Sequence, residues 1–229
     1  MRLMMIKRNE GISIAIISEG DTEAWYFNQL SRAERVHIKT YPKEGKKLES
    51  LYNKANELLK DGSYEYIFGL VDLDVLKGDK SKLGKLAELS KDNSKFYLIQ
   101  SQPCFEYWFY LHKDKYSSRY FSTWKNTNPL KPEVQKIIDN YEKCNKFFRT
   151  VSGKGVYSLL RPKLINASSN SLKLFKDKNT KSVCEIFYVV GIVFCSKCRD
   201  VNCTNKTFYN ECINNKHLCE NMKEMLKNC

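Results

Sequence analysis

The sequence predicts an α/β protein: a mostly parallel sheet flanked by helices, followed by a mainly helical C-terminal extension. Two observations carry this. Short apolar runs rich in β-branched and aromatic residues recur at 12–18, 36–41, 65–71 and 95–100, and segments with helical spacing separate them, an alternation that builds parallel sheets. A third observation gives the sheet a working end. Three of the runs stop at polar residues, Glu19, Asp72 and Ser101, and in such sheets ligands bind beyond the carboxyl ends of the strands.

Residues 12–18 (ISIAIIS) read as a buried strand that stops at Glu19-Gly20. Asp21-Thr22-Glu23 then supplies capping side chains for a helix whose Trp25, Tyr26 and Leu30 recur on one face. The stretch 36–41 alternates as a short strand, and 46–60 carries leucines at 48, 51, 58 and 59 on an otherwise charged helix. A strand over 65–71 (EYIFGLV) runs directly into Asp72-Leu73-Asp74, a helix spans 82–89, and 95–100 (KFYLIQ) forms the next strand. Pro103 is expected to end that strand and open an aromatic helix containing Phe105, Trp108, Phe109 and Leu111, with Glu106 in its first turn. Beyond 113 the pattern predicts an aromatic, Ser-rich connection, a helix over 133–143, a mostly helical stretch over 147–175 and a last core element over 180–194. The chain therefore divides into an α/β core at 1–113, a helical extension completing it at 114–194, and a Cys-rich tail at 195–229.

Composition narrows the class. Lysine and arginine number 39 against 26 acidic residues, a formal charge of +13 that favours a polyanionic partner such as nucleic acid; simple solubility is the competing explanation. Residues 1–10 lack the apolar run of a signal peptide, so a cytoplasmic location is expected. The longest apolar run, 186–195, is about half of the ~20 residues a membrane span needs and reads as a buried element. Nine cysteines in such a chain are expected to be reduced thiols or metal ligands.

Glu19, Asp72 and Asp74 would lie at neighbouring strand ends, where like charges raise one another's pKa unless a cation sits between them. Mg²⁺ (or Mn²⁺) suits these hard oxygen donors. In an extended strand Asp72 and Asp74 face one side and Leu73 the other. An Asp-x-Asp pair alone is common on surfaces, but a Glu-Gly after the first strand followed by Asp-x-Asp after a later one is the pattern of a Toprim-type catalytic core.

Three blocks carry a closer resemblance: Ser18-Glu19-Gly20-Asp21-Thr22-Glu23 with Tyr26-Phe27, Val71-Asp72-Leu73-Asp74, and Ser101-Gln102-Pro103-Cys104-Phe105-Glu106-Tyr107-Trp108-Phe109-Tyr110-Leu111-His112. They resemble the RloB family of Toprim-like proteins, and the third block is the most distinctive. A weaker echo lies at Asn179-Thr180-Lys181-Ser182-Val183, where the family's proline is missing. The resemblance implies a Toprim-like (Rossmannoid) fold and a role in prokaryotic defence against phage, beside an ATPase or another regulatory partner. It also implies a nuclease acting on RNA, tRNA foremost, or on DNA. Glu19 would act as general acid/base or metal ligand, Asp72 and Asp74 would hold Mg²⁺, Glu106 would complete the catalytic site, and Ser101 would bind phosphate. A non-catalytic nucleotide- or nucleic-acid-binding module that recruits a partner is the rival reading. A further copy of the chain is a candidate partner; a membrane is not.

Other signals have two readings each. The lysine clusters at 43–47, 77–85 and 173–181 either line a groove for a phosphate backbone or form solvated faces. Tyr116, Tyr120, Phe121 and Trp124 either stack on bases or serve the core. Ser152-Gly153-Lys154-Gly155 is too short for a P-loop, though Lys154 is a candidate phosphate contact. For Glu23 a capping role is expected, and for His112 a structural one. In the tail, Cys195, Cys198, Cys203 and Cys212, with His217 and Cys219 nearby, either hold a structural Zn²⁺ or remain reduced.

Overall fold

The computed structural model describes residues 12–42, 48–74, 80–144, 147–148 and 155–198. Its centre is a four-stranded sheet of order β2-β1-β3-β4, formed by β1 (Ser13–Ser18), β2 (His37–Pro42), β3 (Tyr66–Asp72) and β4 (Phe96–Ser101). All three pairings are parallel, with Ile14 opposite Ile38 and Tyr66, and Asp72 opposite Ser101. The expected strands are thus present to within a residue or two. Intervening helices α1 (Asp21–Glu34), α2 (Leu48–Asp61) and α3 (Lys80–Asp92) complete a Rossmann-like α/β fold.

The period-2 geometry of a strand sends alternate residues to opposite faces. Ile14, Ile16, Phe68 and Leu70 enter one apolar cluster with Tyr26, Phe27 and Leu30 of α1. Ala15, Ile17, Ile67 and Val71 enter the other, with Leu48, Leu51, Ala55 and Leu58 of α2 and Leu86 of α3. Gly69 permits the second layer to close. A Cβ there would meet Leu51 Cδ2 and Phe96 Cζ at 3.0 Å, tighter than close-packed side chains tolerate.

The remaining helices are α4 (Tyr107–Tyr110), α5 (Lys131–Gln135), α6 (Gly155–Leu160), a 3₁₀ turn (Arg161–Lys163), α7 (Leu164–Lys176) and α8 (Ile186–Cys198). Phe121, Leu130, Val134, Tyr157, Leu164, Ile186 and Val190 join the same cluster as α1, so the extension packs into the sheet's own core. The apolar run at 186–195 becomes α8, buried over Ile186, Phe187, Val189, Val190, Ile192 and Val193, as a helix apolar on all sides must be. Ahead of it, residues 183–185 cover the outer edge of β4. Gln102 N–H donates to Val183 O at 2.7 Å, Ser101 bridges Cys184 in antiparallel sense, and Gln100 N–H donates to Glu185 Oε2 at 2.8 Å. Covering an edge in this way blunts pairing with other chains.

Two expectations need correction. Pro103 does not open a long helix: the Gln102–Pro103 peptide is cis, residues 103–106 form turns, and α4 comprises only Tyr107–Tyr110. Likewise the helix expected over 133–143 shortens to Lys131–Gln135. In both places the backbone turns to bring side chains into the core, and tertiary packing overrides helical spacing.

Candidate active site

Each candidate carboxylate sits where a strand ends. Glu19 follows β1, partly exposed, and Asp72 closes β3, buried. The Cys104-Phe105-Glu106 turn folds over these ends and locks the Asp-x-Asp segment. Phe105 N–H donates to Asp72 Oδ1 at 2.8 Å, Asp74 N–H donates to Pro103 O at 3.1 Å, and Leu73 N–H donates to Ser101 O at 2.8 Å. The aromatic block behind it is rigid: Trp108 Nε1–H donates to Tyr26 Oη at 2.8 Å, and both rings are fully buried.

Glu106 is wholly buried and both its oxygens are engaged. Tyr141 Oη donates to Oε1 at 3.2 Å and Lys143 Nζ to Oε2 at 3.1 Å. The turn therefore presents Glu106 as the anchor of a lysine.

Glu23 is the site residue that the sequence reading missed. It was expected to cap α1, yet that helix has Gly20 as N-cap with no side-chain cap hydrogen bond. Glu23 and Thr22 turn inwards instead, each 2 % exposed. The available signal was spacing: Glu23 follows Glu19 by four residues across a helix start, so both can reach one side. Lys143 and Tyr141 were also missed, and they carry no local signal.

Burial pushes the Glu23 carboxyl up to about 7; Lys143 opposes this, while Glu106 and Glu19 add to it. Burial likewise raises Asp72 well above the usual carboxylate range, helped by Glu23 and opposed by Lys143. Asp74 is raised for the same first reason, desolvation, with Glu106 and Glu19 contributing. Desolvation works against the Lys143 ammonium, but Glu106, Asp72 and Glu23 outweigh it and hold the lysine firmly protonated. Glu19, Glu23, Asp72, Asp74 and Glu106 thus form one repelling set, opposed among the described residues by Lys143.

Such a set suits a divalent cation. Glu23 Oε2 and Asp74 Oδ1 are buried with no hydrogen-bond donor among the described residues, hard oxygen ligands of the kind Mg²⁺ takes. With Asp72 and Glu19 they are the residues that would hold it. Among the described residues no three His, Cys, Asp or Glu side chains stand close enough to hold a metal ion as placed, so binding would draw them together. When bound, the ion would polarise a phosphoryl oxygen and lower the pKa of an attacking water. The chain's own part is to set the carboxylates, orient Asp72 through Phe105 N–H and keep a positive charge at Lys143.

The other predicted residues fall as follows. Ser101 is buried opposite Asp72, its hydroxyl near Cys184. Lys154, the side chains of Cys195 and Cys198, and Cys203, Cys212, His217 and Cys219 lie outside the described residues. Phe121 is core, Tyr116 and Trp124 pack against it, and Tyr120 is exposed. His112 is structural: it is fully buried, with Nδ1 2.9 Å from Trp108 O.

A Rossmann-like sheet with carboxylates gathered at its strand ends defines the class. Residues 14–193 match the RloB-like protein family, and the chain belongs to that family. No curated protein and no solved structure matches it. No described helix is long and apolar enough to cross a membrane.

Proposed function

We propose that this chain is a Toprim-like, Mg²⁺- or Mn²⁺-dependent nuclease that hydrolyses phosphodiester bonds of RNA, tRNA foremost, or of DNA. The observation that carries the reading is the convergence of Glu19, Glu23, Asp72 and Asp74 at the strand ends, with two buried carboxylate oxygens lacking a donor. Buried like charges are retained in a fold mainly where a cation or a proton has work to do there. In this reading Asp72, Asp74, Glu19 and Glu23 hold the metal, one of the glutamates takes the proton from the attacking water, and Glu106 positions the neighbouring lysine. The charge of +13 favours a polyanionic substrate. A role as effector in antiphage defence, with an ATPase or another regulatory partner, rests on the family.

The test is incubation of purified protein with total tRNA, single-stranded DNA and duplex DNA, each with Mg²⁺, Mn²⁺ or EDTA, beside Asp72→Asn and Glu19→Gln. Cleavage that requires metal and both carboxylates is expected. Undiminished cleavage by Asp72→Asn would overturn the site. One observation favours a second reading: no metal-ready trio of ligands stands among the described residues. A non-catalytic binding module would bind nucleic acid without cutting it, and Glu19→Gln would bind equally well.

A further inference from the structure

Among the described residues Lys143 is the cation set beside Glu23, Asp72, Asp74 and Glu106, and it is a built feature. Residues 141–143 alternate: Tyr141 and Lys143 both reach Glu106, while Glu142 accepts a hydrogen bond from Lys131 Nζ at 2.6 Å. Tyr141 and Glu106 are fully buried, whereas the Lys143 side chain is 34 % exposed. The ammonium is therefore tied to a buried carboxylate, while the side chain as a whole keeps some contact with solvent. Of its three N–H donors, one is engaged among the described residues.

A phosphodiester approaching Glu19, Glu23, Asp72 and Asp74 meets strong repulsion. A bound metal would relieve part of it, and an adjacent ammonium held in place would relieve more where charge builds on phosphorus-bound oxygens. A lysine serving only as counter-ion to Glu106 would be expected to seal itself from water. The Lys143 side chain instead stays partly accessible.

We propose that Lys143 binds a non-bridging oxygen of the scissile phosphate, with Glu106 and Tyr141 as positioning residues that hold the ammonium beside the metal-binding carboxylates. The proposal rests on the nuclease reading above. In the hydrolysis it assists, a bond forms between water oxygen and phosphorus and the bond from phosphorus to the leaving oxygen breaks. One water proton passes to a carboxylate and one equivalent reaches the leaving oxygen. Lys143 keeps its own protons throughout and contributes charge and a hydrogen bond.

The experiment uses the full chain with tRNA and a labelled single-stranded oligoribonucleotide, comparing Lys143→Met, Lys143→Arg, Lys91→Met and the double variant Glu106→Gln/Lys143→Met. The double variant removes the buried charge together with its partner, so it tests function where the single variant fails to fold. Lys91 lies in the last turn of α3, ahead of β4 and so at the opposite end of the sheet, and controls for net charge. Expected in Mg²⁺ is a loss of about 100-fold in kcat for Lys143→Met and for the double variant, a tenfold or smaller loss for Lys143→Arg, and no change for Lys91→Met. In Ca²⁺, the slope of log affinity against log salt should fall by about 0.7 for the single strand when Lys143 is removed, as one lost phosphate contact requires. Cleavage near the wild-type rate in the double variant, or an unchanged salt slope, would overturn the proposal and reduce Lys143 to a counter-ion. A wild-type chain that cleaves nothing would instead sink the nuclease reading, and the salt slope would still decide whether Lys143 touches phosphate.

Discussion

Replacing Glu23 by Gln should make the metal-free protein more stable while removing its function. The side chain is 2 % exposed, Oε2 has no donor, and burial raises the carboxyl from 4.5 to about 7. Between those values the folded chain holds more protons than the unfolded one, so stability falls as pH rises from about 4.5 to about 7 and is level above. A shift of this size corresponds to roughly 3–4 kcal/mol. Gln keeps the shape and the acceptor that Glu23 offers its own backbone, and it removes the charge that Asp72 and Glu106 repel. At pH 8 in EDTA, Glu23→Gln should therefore melt about 7–14 °C above wild type. At pH 4 the two should melt together. Mg²⁺ should raise the wild-type midpoint more than that of the variant, because ligand stabilises the state it binds. Differential scanning fluorimetry over pH 4–8, with and without Mg²⁺, reads all of this. A variant that melts below wild type at pH 8 in EDTA, or that retains the full pH dependence, would refute the idea of a strained carboxylate.

Further predictions concern the frame around the site. Tyr26→Phe leaves the buried Trp108 Nε1–H without its acceptor and should cost about 1–3 kcal/mol in urea unfolding; a neutral result would show that another acceptor takes over. Gly155 has φ +73°, and a Cβ there would lie 2.4–2.6 Å from the Gln29 amide that accepts from Tyr157 N–H. Gly155→Ala should therefore destabilise by about 2–3 kcal/mol, and a loss below about 1 kcal/mol would argue against the docking of α6 on α1. Burial lowers His112 from 6.5 to about 4, although bonds to Trp108 and Phe109 carbonyls oppose the shift. Its stabilising effect is complete above pH 6.5 and is lost as pH falls through about 4; an imidazole resonance at pH 5.5 that reports the cation would contradict this.

Much of the fold was legible because it is local. The β-branched run Ile14 to Ile17, and its counterpart Ile67 to Val71, can hardly be anything but buried strands, and a polar residue directly after each marks where the strand leaves the core. That placed Glu19, Asp72 and Asp74 correctly at the strand ends. The block from Ser101 to His112 was distinctive in sequence, but its use was not apparent: the turn before Tyr107 exists to give Phe105 N–H to Asp72 and Glu106 to Lys143. Spacing alone suggested a long helix there because buried aromatic residues crowd both a helix and a tight turn.

By itself, then, the sequence determined the order of strands and helices, the family and the acidic residues at the strand ends, since each depends on neighbours a few positions apart. Tertiary structure decided which charges share one volume. Glu23 reads locally as a cap and Lys143 as one lysine among many. Only folding carries the segment after α5 back to Glu106, where desolvation and mutual repulsion join the strand-end carboxylates and Lys143 into a single electrostatic unit.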